Sequence, residues 1–233
     1  MKAPAEKGFF ITGTDTGVGK TLVAVALTRA LVTRGFHTAA MKPVAAGGMR
    51  TPEGLVNDDA LELLAASNVK APYEDVNPWM LSLPASPHLA ALADGVTIRH
   101  ERIVAALDRL KAAADLVIVE GAGGWHAPIS ATETMADIAG KLALPVILVV
   151  GMRLGCLNHA LLTRDAIRAR GLPFAGWIAN KLAAEMPLAN ANIETLTSRF
   201  GLEPLTTVPV GATIDPKAPP PWANEVVERL LSP

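Results

Sequence analysis

One loop constrains this chain more than any other feature. The apolar run Phe9-Phe10-Ile11 enters Thr12-Gly13-Thr14-Asp15-Thr16-Gly17-Val18-Gly19-Lys20-Thr21. A helical pattern then starts at once, with Leu22, Val23, Val25, Ala26, Leu27, Ala30 and Leu31. Strand, glycine-rich turn and helix in that order form a phosphate loop. Glycines let the backbone approach phosphate closely, and successive N–H groups at a helix start bind the anion. Lys20 is placed to reach the β- and γ-phosphates, and the Thr21 hydroxyl to ligate Mg²⁺. The spacing is a variant. The early glycine is Gly13, one residue before its usual slot, which Thr14 fills.

Apolar, β-branched runs recur at Phe9–Thr12, Thr38–Val44, Leu116–Val119, Val146–Val150, Phe174–Ala179 and Leu205–Val208. Helical patterns lie between most of them, at Lys20–Arg34, Asp58–Ala66, Ile98–Ala113, Thr134–Leu142, Asn158–Arg170 and Ala189–Phe200. Strands alternating with helices imply parallel pairing through right-handed crossovers. Runs apolar throughout, such as Val146-Ile147-Leu148-Val149-Val150, imply strands buried on both faces. The expected fold is α/β: a three-layer α/β/α, P-loop NTPase-like domain with a mostly parallel sheet, spanning residues 1–233 as one unit. The Pro-, Gly- and Asn-rich span Gly47–Gly95 reads as an insertion carrying one or two helices over the site. Asp215–Pro221 reads as an ordered Pro-rich loop before a last helix, Trp222–Leu231.

Charge and cysteine content narrow the function classes. With 21 basic against 22 acidic residues, no positive excess points to nucleic acid or an anionic membrane. Cys156 is the only cysteine, so a reducing compartment fits and no intrachain disulfide can form. Met1–Gly8 has no apolar signal core, and Leu142–Val150 is broken by Pro145 and too short to span a bilayer. The expectation is a soluble cytoplasmic protein.

Further motifs sit at strand ends, where ligands bind in such sheets. Leu116-Val117-Ile118-Val119-Glu120 ends in an acid, followed by Gly121-Ala122-Gly123-Gly124. An acid at the end of a neighbouring strand is where a phosphate-loop enzyme places a Mg²⁺ ligand. Lys42 ends the second strand, where its ammonium either comes near the phosphates or sits at an edge in solvent. Asn57-Asp58-Asp59 precedes a helix. Asn57 is a fitting N-cap, and Asp59 either serves the first helical turn or adds a second carboxylate to the metal site. Gly155-Cys156-Leu157-Asn158-His159 opens another helix, whose N–H groups could hold a carboxylate. Cys156 reads as a packing residue, and His126 and His159 as structural. Asn180 offers an acceptor and donors to an adenine edge, or simply forms a turn.

Together these segments resemble the dethiobiotin synthetases. The resemblance rests on Gly13–Thr21, Lys42-Pro43-Val44, Thr51–Leu55, Ser86-Pro87-His88, Val119–Trp125, Leu144–Gly151 and Leu154–Ala160. It implies an ATP-dependent ligase that joins 7,8-diaminononanoate and CO₂, closing a ureido ring through a carbamate and a mixed anhydride. It implies a homodimer with the substrate site at the subunit interface. It assigns Gly17, Val18, Gly19, Lys20, Thr21 and Leu22, with Gly121, Ala122 and Gly123, to the nucleotide. Mg²⁺ goes to Thr21, Asp59 and Glu120. Lys42 becomes the cation beside the carbamate and γ-phosphate, and with Lys20 the catalytic pair. Asn180, Lys181, Val208, Pro209 and Val210 would hold adenine. Ala46 would touch the substrate, and Gly155, Cys156, Leu157 and Asn158 of the partner subunit would bind its carboxylate.

The chain departs from the family pattern at three places. Gly17 stands where some members carry Glu, Ala46 where some carry Ser, and His126 where an apolar residue is expected. Two other classes fit the residues less well. Partitioning ATPases carry a signature lysine early in the loop, but that slot is Asp15. A cobyrinate-type amidotransferase needs a glutaminase domain, for which 233 residues are too few.

Overall fold

The computed structural model describes residues 7–183, 186–215 and 218–232. Residues 1–6 of Met1–Gly8, positions 216–217 of the expected Asp215–Pro221 loop and the last residue of the expected domain lie outside the described residues. In chain order, β1 (Gly8–Gly13) leads into α1 (Lys20–Thr33) and β2 (Thr38–Met41). A run of short elements follows: β3 (Val44–Ala46), β4 (Met49–Thr51), β5 (Gly54–Val56), α2 (Asp58–Ala66), α3 (Tyr73–Val76), β6 (Trp79–Leu81) and α4 (Pro87–Ala93). Regular alternation resumes with α5 (His100–Ala113), β7 (Leu116–Glu120), α6 (Met135–Leu142), β8 (Val146–Met152), α7 (Cys156–Ala169) and β9 (Phe174–Lys181). It ends with α8 (Ala189–Phe200), β10 (Thr206–Val208) and α9 (Pro221–Leu231).

The central sheet has the order β10-β9-β8-β1-β7-β2, and every neighbouring pair is parallel. Every residue of β1, β7 and β8 is buried, so helices must cover both faces. Side chains alternate across the strands and feed two separate cores. Phe10, Val117, Val119, Leu148 and Val150 pack with Ile103, Leu107, Ile138 and Leu196 on one face. Phe9, Ile11, Leu116, Ile118, Ile147 and Val149 pack with Val23, Leu27, Leu63 and Val226 on the other. From β1 the chain runs out to β2, returns to β7, then crosses to β8 on the far side of β1. The reversal opens a crevice at the carboxyl end of β1, where the phosphate loop lies. No described helix is long and apolar enough to cross a membrane.

The structure departs from the sequence expectation after Met41. The run Thr38–Val44 does not form one strand. Pro43 has no N–H to give a sheet, and the chain leaves the main sheet there. Val44–Ala46 instead pairs in parallel with Trp79–Leu81. The expected insertion also holds more than one or two helices. It carries α2, α3 and α4, an antiparallel β4–β5 hairpin and the β3–β6 ribbon. These elements are too short for periodicity to register. At α7 the helix begins at Cys156, two residues early, because Gly155 caps it at φ 92°.

Candidate active site

The phosphate loop folds as its glycines require. Gly17 and Gly19 take φ of 71° and 89°, a region costly for residues with a Cβ. Gly19 is doubly constrained, since a Cβ there would lie 2.2 Å from Asn180 Nδ2. Asn180 Nδ2 donates to Val18 O at 2.8 Å, tying the end of β9 to the loop. Gly19 is the N-cap of α1 and offers no side-chain acceptor, so first-turn N–H groups remain for an anion. Lys20 curls along the loop, its Nζ 2.9 Å from Asp15 O. Burial first, then the nearby Lys42 charge, lowers its pKa from 10.5 to about 8.

Two strand ends and two helix starts bring a charged cluster against this loop. Lys42 Nζ lies 2.8 Å from Asp59 Oδ2 and 2.6 Å from Glu120 Oε1. The Thr21 hydroxyl donates to the same Glu120 oxygen at 2.8 Å. Lys42 follows β2, Glu120 ends β7, Thr21 lies in the first turn of α1, and Asp59 in the first turn of α2. Asn57 caps α2 with Oδ1 accepting from Ala60 N–H at 3.3 Å. The capping and cluster roles that the sequence left open are thus divided between Asn57 and Asp59.

Burial alone would drive the Lys42 ammonium to lose its proton. Glu120 and Asp59 outweigh that and raise its pKa, so it stays charged. Asp59 is likewise desolvated, but Lys42 holds its carboxyl below the ordinary value. Burial pushes the Glu120 carboxyl up, against the pull of Lys42.

The other oxygen, Glu120 Oε2, is buried with no hydrogen-bond partner among the described residues. Such an orphan is costly unless something fills the place. Three hard oxygen donors converge here, which fits a Mg²⁺ held with phosphate oxygens and water.

The cluster lines a cavity of about 930 Å³. Its wall includes Gly17, Gly19, Lys20, Thr21, Lys42, Ala46, Asp59, Glu120, Ala122 and Gly123. Residues expected from sequence and far apart in the chain therefore share one space. Val18, Leu22, Gly121, Asn180, Lys181, Val208, Pro209 and Val210 are not in that wall as described. Asn180 and Val208 are register partners on β9 and β10, beside the loop, and Lys181 Nζ lies 3.1 Å from Asn190 Oδ1. Gly155, Cys156, Leu157 and Asn158 are also outside the wall. Cys156 is buried and burial pushes its thiol up, as suits a packing residue. His126 and His159 are exposed and so do not serve the core.

Sequence reasoning gave no role to Pro84, Ala85, Ser86 and Pro87, which also line the cavity. The Ser-Pro start of α4 was its available signal. It also missed Arg153, which pairs with Asp15 of the cavity wall. No local pattern could have announced a contact between residues this far apart.

A family model described as AAA domain matches residues 7–218. The chain is 50% identical to an ATP-dependent dethiobiotin synthetase BioD of Cellvibrio japonicus over 205 residues, covering 88% of this chain and 90% of the relative. A protein of the same description from Aromatoleum aromaticum is 48% identical over 210 residues, covering 90% and 93%. Among solved structures, the septum site-determining protein MinD of Pyrococcus horikoshii, complexed with Mg-ADP, aligns with TM-score 0.57 at 16% identity, covering 96% of this chain and 88% of MinD. A ParA family ATPase of Chlorobium tepidum aligns with TM-score 0.57 at 15% identity, covering 97% and 99%. At such identity these two likenesses bear on the fold alone, and they agree with a P-loop NTPase architecture.

Proposed function

The chain belongs to the ATP-dependent dethiobiotin synthetases, ligases of biotin synthesis, and we propose that its cavity closes the ureido ring of dethiobiotin from 7,8-diaminononanoate, CO₂ and ATP. The observation that carries this reading is Lys42, charged and buried beside the phosphate loop between Asp59 and Glu120.

In the proposed sequence, one neutral amine adds to CO₂, loses a proton and becomes a carbamate. A carbamate oxygen attacks the γ-phosphorus of ATP and ADP leaves, giving a carbamic-phosphoric anhydride. The second amine attacks the carbonyl carbon, expels phosphate, loses a proton and closes the ring. Little covalent work falls to the protein, whose task is positioning and charge stabilisation. The loop N–H groups and Lys20 hold the phosphates. Lys42 stands where carbamate and γ-phosphate meet, and its carboxylate partners keep it protonated and fixed before substrate arrives. Thr21, Asp59 and Glu120 would hold Mg²⁺, which when bound neutralises charge on the phosphate oxygens. Asn180, Lys181 and Val208–Val210 would receive adenine, and Ala46 would contact substrate through its backbone.

The substrate carboxylate is proposed to reach Gly155–Asn158 of a partner subunit in a homodimer. Two observations support a shared site: that helix start is outside the cavity wall, and Leu154 and Leu162 beside it are 100% and 63% exposed. Asp15, paired with Arg153 where a partitioning ATPase carries its signature lysine, favours the ligase over a switch. We read the chain as one domain acting in the cytoplasm, without nucleic-acid or membrane partners. ADP release, measured with diaminononanoate and bicarbonate each omitted in turn, tests the proposal. Release should need both. Rapid hydrolysis without diamine would refute it.

A further inference from the structure

Lys42 and Asp59 meet at their tips, but what fixes their backbones lies outside the cavity. The Lys42 N–H donates to Val76 O at 2.7 Å. The Lys42 carbonyl accepts from Asn77 Nδ2 at 2.6 Å. Asn77 is buried at 3% exposure, and its Oδ1 accepts from the Tyr73 hydroxyl at 3.1 Å. The same hydroxyl accepts from the Asn57 N–H at 2.8 Å. Asn57 is the cap of α2, whose first turn carries Asp59. One relay, Lys42–Asn77–Tyr73–Asn57, therefore joins the peptide of the cluster's cation to the helix start of its carboxylate.

Neither Tyr73 nor Asn77 lines the cavity, so neither touches the reacting atoms. We infer that Tyr73 and Asn77 are positioning residues, a clamp that sets the distance between Lys42 and Asp59 for the reaction. The inference rests on the proposed role of Lys42. Its physical basis is that Lys42 directly follows β2, at the point where the chain leaves the main sheet, with Pro43 next to it. Val76 O at the end of α3 and the side-chain amide of Asn77, its C-cap, supply the partners for the Lys42 backbone that the main sheet no longer offers. Without the relay, the long Lys42 side chain and the α2 start are free to drift, and a misplaced charge stabilises a transition state poorly.

Tyr73→Phe removes a single oxygen and keeps the ring. Losing one such link should lower kcat about five-fold, the equivalent of ~1 kcal/mol. It should leave KM for ATP within about two-fold, and ADP titration should still give one site per chain. The Mg²⁺ concentration for half-maximal rate should rise, because Asp59 is at the far end of the relay. Asn77→Ala also orphans the Lys42 carbonyl and should lower kcat on the order of thirty-fold. Combining the two should add nothing to Asn77→Ala alone, since Tyr73 acts through Asn77. Should Asn77→Ala fail to fold, Tyr73→Phe decides alone.

Unchanged kcat in Tyr73→Phe, or a fall matched by lost ADP-binding stoichiometry, would overturn the clamp. So would losses that simply multiply in the double variant. Lys42→Ala belongs in the same series. If it is impaired while Tyr73→Phe is not, only the clamp fails. If Lys42→Ala keeps its kcat, the proposed role of Lys42 fails, and the clamp with it.

Discussion

Lys42 and Glu120 meet through Nζ and Oε1 at 2.6 Å because each follows a register pair of the sheet. Met41 on β2 stands opposite Val119 on β7, so the next residues on each strand fall side by side at the carboxyl edge. Their side chains are 6% and 1% exposed. Parallel pairing thus places a cation against an acid beside the phosphate loop, from positions far apart in the chain.

Lys42→Ala and Lys20→Ala should therefore fail differently. In the proposed reaction Lys42 acts where charge develops, so its loss should lower kcat by about two to three orders of magnitude while ADP titrations stay near normal. It also strands Glu120 without its cation, which should cost roughly 3 kcal/mol of stability. Lys20 lies along the phosphate loop itself, so Lys20→Ala should weaken nucleotide binding as well as rate. Titrations and turnover at low temperature separate the two. Near-normal kcat in Lys42→Ala would remove it from the chemistry.

Asp59→Asn keeps the shape of the side chain and removes its charge. If Asp59 helps hold the metal, the Mg²⁺ concentration for half-maximal rate should rise several-fold, because one hard anionic donor is lost. A superimposable Mg²⁺ titration would leave Asp59 as a partner of Lys42 only.

Gly19→Ala tests the loop geometry. The new methyl group would sit 2.2 Å from Asn180 Nδ2 at φ 89°. Strain of that kind costs about 1–3 kcal/mol. The clash also pushes Asn180 off Val18 O. Both thermal midpoint and ADP affinity should fall. Gly17→Ala, at φ 71° with no atom of the described residues beyond its chain neighbours within 4 Å of the added Cβ, should show the backbone cost alone. Equal effects at the two positions would deny Asn180 its part in holding the loop.

The pattern of what was legible follows from range. Gly17, Gly19 and Lys20 announced the loop because strand, turn and helix are local. Runs such as Val146–Val150 announced buried parallel strands for the same reason. Glu120 was readable as an acid at a strand end. Lys42 and Asp59 each kept a bland alternative, because only the fold shows that they share a partner. Thr38–Val44 misled because β-branched and apolar residues continue past Met41, although Pro43 had already ended the pairing. Tyr73, Asn77 and Arg153 gave no signal, since their contacts are set by tertiary structure.

Acid should find a weak point at the start of α6. Asp137 Oδ2 accepts from the Thr134 N–H at 2.7 Å, and Oδ1 from Arg170 at 2.6 Å. Partial burial alone would raise its pKa, but these bonds outweigh it and hold the carboxyl below its ordinary value of 3.8. A carboxyl depressed by folding adds stability above the unfolded value, and that stability disappears as pH falls through the folded one. Asp137→Asn should thus lower stability by about 1 kcal/mol at pH 7, or roughly 2–4 °C in Tm. Well below pH 3.8 the difference should vanish. A gap that is the same at both pH values would mean that the charge is not what matters.

The final prediction concerns the proposed sharing of the site between subunits. The cavity holds the phosphate loop and Lys42, but its wall as described does not include Gly155–Asn158. Free N–H groups and the helix dipole at the start of α7 favour a carboxylate. Asn158 is exposed there, and Leu154 is wholly exposed. In a closed twofold pair, each helix start would face the other chain's cavity, giving two equivalent composite sites. A Lys20→Ala chain and an Asn158→Trp chain should each form nearly inactive dimers. Mixed dimers should then carry both lesions in one site and none in the other. Activity should return toward half of the wild-type value per mixed dimer. Subunit exchange, followed by labelled chains, must be shown in the same samples. If exchange occurs and no activity returns, each site is built within one chain, and the exposed start of α7 has another role.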